Sequence, residues 1–354
     1  MGRARPAIRA EVIAMRTGEI APMMSTTRRI IVGPTAAGKS ALAMSLARRR
    51  GLAIVSADSR QVYQDFDIGT AKPSLADRQA IPHFGLDVVA PIIRYSAHAW
   101  AADAMRWCGD AEHAGTPPVV VGGTGLYVKA LVSPLDAVPA LDPERREALR
   151  AWLAGRPLDE LARWCRRLDP ARAHLGRTQL LRAIETALLA GTRLGDALQS
   201  LQSGNAPDDV PDYAADVSTS PSARYLVVDP GPVLAERIAH RVHQMIADGF
   251  VQEVERLRVT IAHDAPAWSA SGYRVVRDAL EGTGGSRALD AAIERVIIET
   301  RQYAKRQRTW FRHQLPAEQV TRIDPDAPNA LNQALAWWDH EEPVATGAMQ
   351  TRTA

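Results

Sequence analysis

Gly33-Pro34-Thr35-Ala36-Ala37-Gly38-Lys39-Ser40 is the stretch that decides the fold. An apolar run, Arg28 to Val32, leads into it and a helical pattern, Ser40 to Arg50, leads away. Strand, glycine-bounded loop and helix in that order make a phosphate-binding loop. Glycine at both ends lets the backbone curl until successive amide N–H groups and the helix N-terminus point at one anion. Lys39 adds a full charge, and Ser40 stands where a hydroxyl can share a Mg²⁺ with phosphate oxygens. With 24 Gly and four Lys in 354 residues, a chance match is improbable. All eight residues are therefore expected to hold phosphate, against the bland alternative of a glycine-rich turn with no ligand. The loop alone does not separate a kinase, a GTPase, an ATPase or another user of diphosphate.

Around it, short β-branched runs alternate with helical patterns, which predicts an α/β fold: a parallel P-loop sheet with helices on both faces. Strands are expected at Arg29 to Gly33, Leu52 to Ala57, Leu86 to Val89, Val119 to Gly122 and Tyr225 to Asp229. Ligands of such sheets lie beyond the carboxyl ends of the strands. Three of those ends carry chemistry: the phosphate loop, Asp58-Ser59, and Gly123-Thr124-Gly125. Between 142 and 200 only Leu, Ala and Arg at helical spacing appear, which reads as an inserted α-helical domain. A Pro-, Asp- and Ser-rich return linker follows it. The chain thus divides into a tail at 1–27 expected to be disordered, a core at 28–135 and 223–320, an insertion with linker at 136–222, and a C-terminal tail at 321–354. A last short helix is expected at 329–340.

Two long helices are predicted, Val233 to Val259 and Arg287 to His313. On the second, Leu289, Ile293, Val296, Ile297, Thr300, Tyr303, Ala304 and Trp310 make a buried stripe. Arg301, Lys305, Arg308 and Arg312 share another face. No carboxylate follows Glu299 until Glu318, so a contact with a phosphate backbone is preferred to a merely solvated face.

Composition bounds the rest. Hydrophobic residues at 46% and charged residues at 23% describe an ordinary globular protein. A net charge of +3 permits a nucleic-acid partner without requiring one. The 39 Arg against four Lys fit phosphate recognition and codon bias equally. Cys108 and Cys165 are far apart and lack metal-ligand spacing, which suits buried thiols in a reducing compartment. His240 and His243 are spaced for a metal, but no third ligand is evident. No apolar run is long enough to span a membrane, and the first residues do not read as a secretory signal, so a cytoplasmic protein is expected.

A GTPase would need a base-reading Asn-Lys-x-Asp element, and none is present. Asp229, after Tyr225 to Val228, is the one good match to a metal-binding aspartate at a strand end. Ser56-Ala57-Asp58-Ser59-Arg60-Gln61-Val62-Tyr63 and Asp67 to Pro73 then narrow the choice. With the phosphate loop and Gly122-Gly123-Thr124-Gly125-Leu126-Tyr127 they closely resemble the tRNA dimethylallyltransferases, also called tRNA isopentenyltransferases. The resemblance extends through Asp142-Pro143 with Arg146, Arg182-Ala183-Ile184-Glu185, His243-Gln244-Met245, Gly272-Tyr273-Arg274 and Thr300 to Arg312.

That resemblance implies transfer of a dimethylallyl group from dimethylallyl diphosphate to the exocyclic amine of the adenine just 3′ of a tRNA anticodon. It implies that Gly33 to Ser40 grip the donor's diphosphate, with Arg241 as a further diphosphate-binding cation and Mg²⁺ as cofactor. Asp58 is implied as the general base, and Thr124 as the residue that orients it and the adenine. Contacts with the anticodon stem-loop are implied for Asp58, Ser59, Arg60, Gln61, Thr124, Arg146, Arg182, Gly272, Tyr273, Arg274 and the run Lys305, Arg306, Gln307, Arg308, Thr309, Trp310 and Arg312. A monomer is implied. Departures at Leu175-Gly176, Thr178-Gln179 and Ser271 to Val275 bear on tRNA preference and leave the chemical centre untouched. With both cysteines upstream, the C-terminal zinc finger of eukaryotic members is absent and the chain is of bacterial type. Two alternatives remain: prenyl transfer to a free adenosine nucleotide, and a small-molecule P-loop kinase.

Overall fold

The computed structural model describes residues 27–133, 141–194, 196 and 222–340. Residues 1–26 of the tail expected at 1–27, the return linker and the last residues from 341 lie outside the described residues. Six parallel strands form one sheet: β1 (Arg28–Val32), β2 (Ala53–Ser56), β3 (His83–Phe84), β4 (Pro118–Gly122), β5 (Ala223–Val228) and β6 (Val320–Ile323). Their order is β3-β2-β4-β1-β5-β6. Ile30, Ile31 and Val32 in β1 are fully buried, as a central strand covered on both faces requires.

The two faces follow the strand's period of two. Ile30, Val32, Val55, Val120, Tyr225 and Val227 point to one side and meet Trp100, Phe250, Trp268, Tyr273 and Phe311. Ile31, Ile54, Val119, Val121, Leu226 and Val228 point to the other and meet Leu42, Leu46, Ile238 and Trp337. The helices that supply these covers are α1 (Lys39–Arg50), α2 (Leu75–Ala80), α3 (Ala97–His113) and α4 (Gly125–Val132). The second half of the chain adds α8 (Leu234–Ala247), α9 (Phe250–Thr260), α10 (Tyr273–Glu281), α11 (Gly285–Gln314) and α12 (Ala330–Asp339). Between them α5 (Pro143–Ala154), α6 (Leu158–Leu168) and α7 (Arg177–Ala190) form the inserted helical unit. It closes on a small core of its own, Leu153, Leu161, Cys165, Leu180, Ala183 and Ile184.

Three expectations need correction. Leu86 to Val89 does not join the sheet, because Gly85 (φ 79°) and Asp87 (φ 54°) turn the chain; the strand ends at Phe84 and Val89 makes one isolated bridge to Tyr63. The helix expected from Val233 to Val259 is two helices, α8 and α9, broken at Gly249 with φ 98°. The segment set aside as a tail from 321 completes β6 and carries α12, whose buried Trp337 joins the same apolar cluster as α1. Both cysteines are buried free thiols, and burial pushes Cys108 up to about 11.

Missing side chains draw the strand ends together. A Cβ on Gly33 would lie 2.2 Å from the Val228 carbonyl oxygen, and one on Gly122 would lie 2.1 Å from that of Ala57. The Ala57 carbonyl in turn accepts the Thr124 N–H at 3.1 Å. Ala57, directly after β2, and Thr124, two residues after β4, are therefore fixed by one backbone contact. Gly122→Ala forces these strand ends apart. It should destabilise the protein by about 1–3 kcal/mol, as overpacking does, and a thermal melt should register the loss.

Candidate active site at the strand ends

The phosphate loop leaves β1 at Gly33 and enters α1 at Lys39. Ala36 (φ 61°) and Gly38 (φ 88°) take left-handed conformations that turn amides inward. No side chain caps α1 and no acidic residue lies in its first turn, so its leading N–H groups are left for an anion. The Lys39 ammonium folds back over the loop and donates to the Pro34 carbonyl at 2.7 Å. Thr35 departs from expectation: its N–H is committed to Oε1 of Gln307 at 2.8 Å and does not face a ligand.

Arg241 reaches the same place from α8. Burial, then repulsion by Arg241, lowers Lys39 to about 8, with Asp58 opposing the shift. Arg241 is lowered as well, by burial, again with Asp58 opposing. Two cations facing one carboxylate leave a net positive charge at the mouth of the loop.

Asp58 follows β2. One of its carboxylate oxygens accepts the Arg60 N–H at 2.8 Å, a local turn that fixes its direction. Thr124, after β4, accepts the Ser59 N–H at 3.0 Å. Tyr303 of α11 sits beside Thr124 and is raised to about 12, first by burial and then by the charge of Asp58. The sequence placed Tyr303 in a buried stripe and gave no sign of a site role. One pocket gathers Lys39, Ser40, Asp58, Arg60, Arg241 and Tyr303 on its polar side. Ile238, Val242, Met245, Phe250 and Val296 line its apolar side.

Other implied residues have partners within the protein. Tyr273 is fully buried and donates its hydroxyl to the buried Glu253, which also accepts the N–H of Ile68 at 2.9 Å. Gln61 accepts from Ser56 Oγ at 2.9 Å and donates to the Thr70 and Ala71 carbonyls. Gly272 supplies a positive φ of 84° at the start of α10. Arg308 pairs with Asp229 and donates to the Gly231 carbonyl, while Arg301 donates to the Ala235 carbonyl at 3.2 Å. The cationic face of α11 therefore does have protein partners, at two of its four positions. Lys305, Arg306, Thr309, Arg312 and Arg274 remain exposed, and Trp310 packs across Gly125. In the insertion Arg146 and Arg150 both bond the buried Glu185, at 2.8 and 2.7 Å, with Arg182 one turn before it on α7.

The donor set accommodates a hard cation. Ser40 makes no side-chain hydrogen bond among the described residues and shares the pocket with the Asp58 carboxylate, while Asp229 is taken by Arg308.

A phosphate loop, two added cations and an acid on the ends of a parallel sheet, beside an apolar lining, define a P-loop enzyme that handles an organic diphosphate. The comparisons agree. The family model described as IPP transferase matches residues 61–314, and that of isopentenyl transferase matches residues 26–84. The tRNA dimethylallyltransferase of Synechococcus elongatus is 37% identical over 310 residues, 86% of this chain and 93% of that protein. That of Burkholderia cenocepacia is 39% identical over 316 residues, 88% and 93%. The crystal structure of the tRNA isopentenylpyrophosphate transferase from Bacillus halodurans matches with TM-score 0.59 at 28% identity, covering 88% of this chain and 95% of that one. A eukaryotic dimethylallyltransferase acting on tRNA shares the fold with TM-score 0.68 at 23% identity, covering 88% and 78%. This chain belongs to the IPP transferase family, the tRNA dimethylallyltransferases.

Lys39 is charged below about 8 and neutral above it. Affinity for dimethylallyl diphosphate should therefore fall as pH rises through that value, and Lys39→Arg should remove the decline. Titration calorimetry between pH 7 and 9.5 checks both.

Proposed function

We propose that this enzyme transfers a dimethylallyl group from dimethylallyl diphosphate to the exocyclic amine of the adenine 3′ of a tRNA anticodon, releasing diphosphate. The observation that carries the reading is the juxtaposition of Lys39 and Arg241 with Asp58 in one pocket that also offers an apolar wall.

The chemistry follows from the arrangement. The amides of the phosphate loop, Lys39 and Arg241 hold the diphosphate and stabilise the charge that grows as the allylic carbon–oxygen bond breaks. Val242, Met245, Phe250 and Val296 surround the five-carbon tail and keep water from the allylic carbon. The amine nitrogen attacks that carbon, the carbon–oxygen bond breaks, and the diphosphate leaves with the bonding pair. Adenine's exocyclic lone pair is delocalised into the ring, so the nucleophile is weak. A free aspartate has a pKa of ~3.9 and cannot strip the amine beforehand. Proton transfer to Asp58 therefore accompanies or follows carbon–nitrogen bond formation. Thr124 and Tyr303 flank the acceptor base. Ser40, with Asp58 in the same pocket, would hold a Mg²⁺, which would supply further charge neutralisation on the leaving group.

An adenine in a loop must be turned out of its stack to reach this depth. The exposed Arg274, Lys305, Arg306, Thr309 and Arg312, with Trp310 beside them, are the proposed RNA-facing groups of the core, and Arg146 and Arg182 those of the insertion. Arg60 lies at the pocket, and Ser59 adjoins it in the chain. Among the described residues no helix is long and apolar enough to cross a membrane.

An anticodon stem-loop and AMP offered in parallel test the acceptor. Transfer to the stem-loop alone is expected, and equal transfer to AMP contradicts it. Asp58→Ala should lower kcat by about 10²- to 10⁴-fold with tRNA affinity within a few-fold, read by single-turnover kinetics and filter binding. Neutralising Lys305 and Arg312 should each reduce the salt slope of tRNA binding by about one. An unchanged slope returns that face to solvent.

A further inference from the structure

Gln307 lies one turn beyond Tyr303 on α11, is 6% exposed, and makes two hydrogen bonds that join distant parts of the chain. Its Oε1 accepts the Thr35 N–H at 2.8 Å and its Nε2 donates to the Gly123 carbonyl at 2.7 Å. One partner is in the phosphate loop. The other precedes Thr124. The amide's orientation is chemically determined, since a backbone N–H needs an acceptor and a backbone carbonyl needs a donor. Glutamate supplies only the first and methionine neither. Gly123 is shaped to the contact: a Cβ there would lie 2.4 Å from Gln307 Nε2.

We propose that Gln307 is a positioning residue that sets the spacing between the diphosphate cradle and the loop presenting the acceptor adenine, and does not itself contact RNA. The inference rests on the prenyl-transfer reading. Displacement at carbon needs the nucleophile, the carbon and the leaving oxygen in line, and a misplacement of about 1 Å costs on the order of 10²-fold in rate. The cradle holds the leaving group through β1, and the Gly122 to Thr124 turn holds the acceptor through β4. The Gln307 side chain is a direct tie between the loops that follow these strands, and it belongs to the helix that also carries Lys305, Arg306 and Arg312.

The test uses the full chain, dimethylallyl diphosphate and an anticodon stem-loop, with folding of each variant checked by thermal melt. Gln307→Met should lower kcat by about 30- to 100-fold, with both KM values and the RNA Kd within about three-fold. Gln307→Glu keeps the acceptor for Thr35 and regains a donor only when protonated. Its deficit relative to wild type should therefore shrink as pH falls. Gly123→Ala pushes the amide aside and should reproduce the kcat loss. The Gly123→Ala/Gln307→Met double variant should be no worse than the poorer single variant, because both act on one contact. Gly123→Ala and Gln307→Glu keep the test open if the methionine variant does not fold. Normal kcat in all three single variants overturns the proposal, as does a loss confined to RNA affinity. If wild-type enzyme itself moves no prenyl group, the prenyl-transfer reading fails instead.

Discussion

Lys39 and Arg241 stand half-buried in one pocket with the single carboxylate of Asp58, and the rest of the structure serves that arrangement. Both cations are pulled below their ordinary range, first by burial, so the ligand-free pocket is under electrostatic strain. A polyanion relieves it, and a neutral ligand would not. Strained ionisable groups in a cleft mark functional sites for this reason. The fold reaches this arrangement with backbone alone: Gly33 against Val228 and Gly122 against Ala57 close the strand ends to distances that no Cβ allows.

Helix α11 turns these strand ends into one body. Arg301 bonds the start of α8, Gln307 bonds the loops after β1 and β4, and Arg308 bonds the turn after β5. The cations of this helix therefore divide by position. Those that turn inward bond the protein itself, and Arg308 in particular pairs with Asp229. Those that turn outward, Lys305, Arg306 and Arg312, leave a positive surface within a few turns of the pocket. A single helix thereby carries both an exposed positive surface and the ties between the strand ends.

Much of this was legible in the residues. The octet at Gly33 gave the first strand, loop and helix, because glycine spacing and a following lysine have few other uses. Asp58 and Thr124 stood out as polar residues at the ends of β-branched runs. What failed to show had physical causes. Gly249 and Asp87 sit inside patterns that hydrophobic periodicity alone carries through, yet their positive φ breaks the element. β6 escaped notice because Val320 to Ile323 is an edge strand with only Ile323 buried. The roles of Tyr273, Gln307 and Arg308 depend on partners distant in sequence, with Gln307 and Thr35 separated by 272 positions. The resemblance implied RNA contacts for these residues, and the charge pattern did so for Arg308 alone; in the structure each is hydrogen-bonded within the protein.

The most direct measurement incubates the enzyme with anticodon stem-loop RNA, Mg²⁺ and isotopically labelled dimethylallyl diphosphate, with ATP present as a competitor for the phosphate loop. The label should appear on the RNA, at the amine of one adenine, with one diphosphate released per transfer and the ATP intact. Consumption of ATP with no isoprene unit on the RNA would contradict the account.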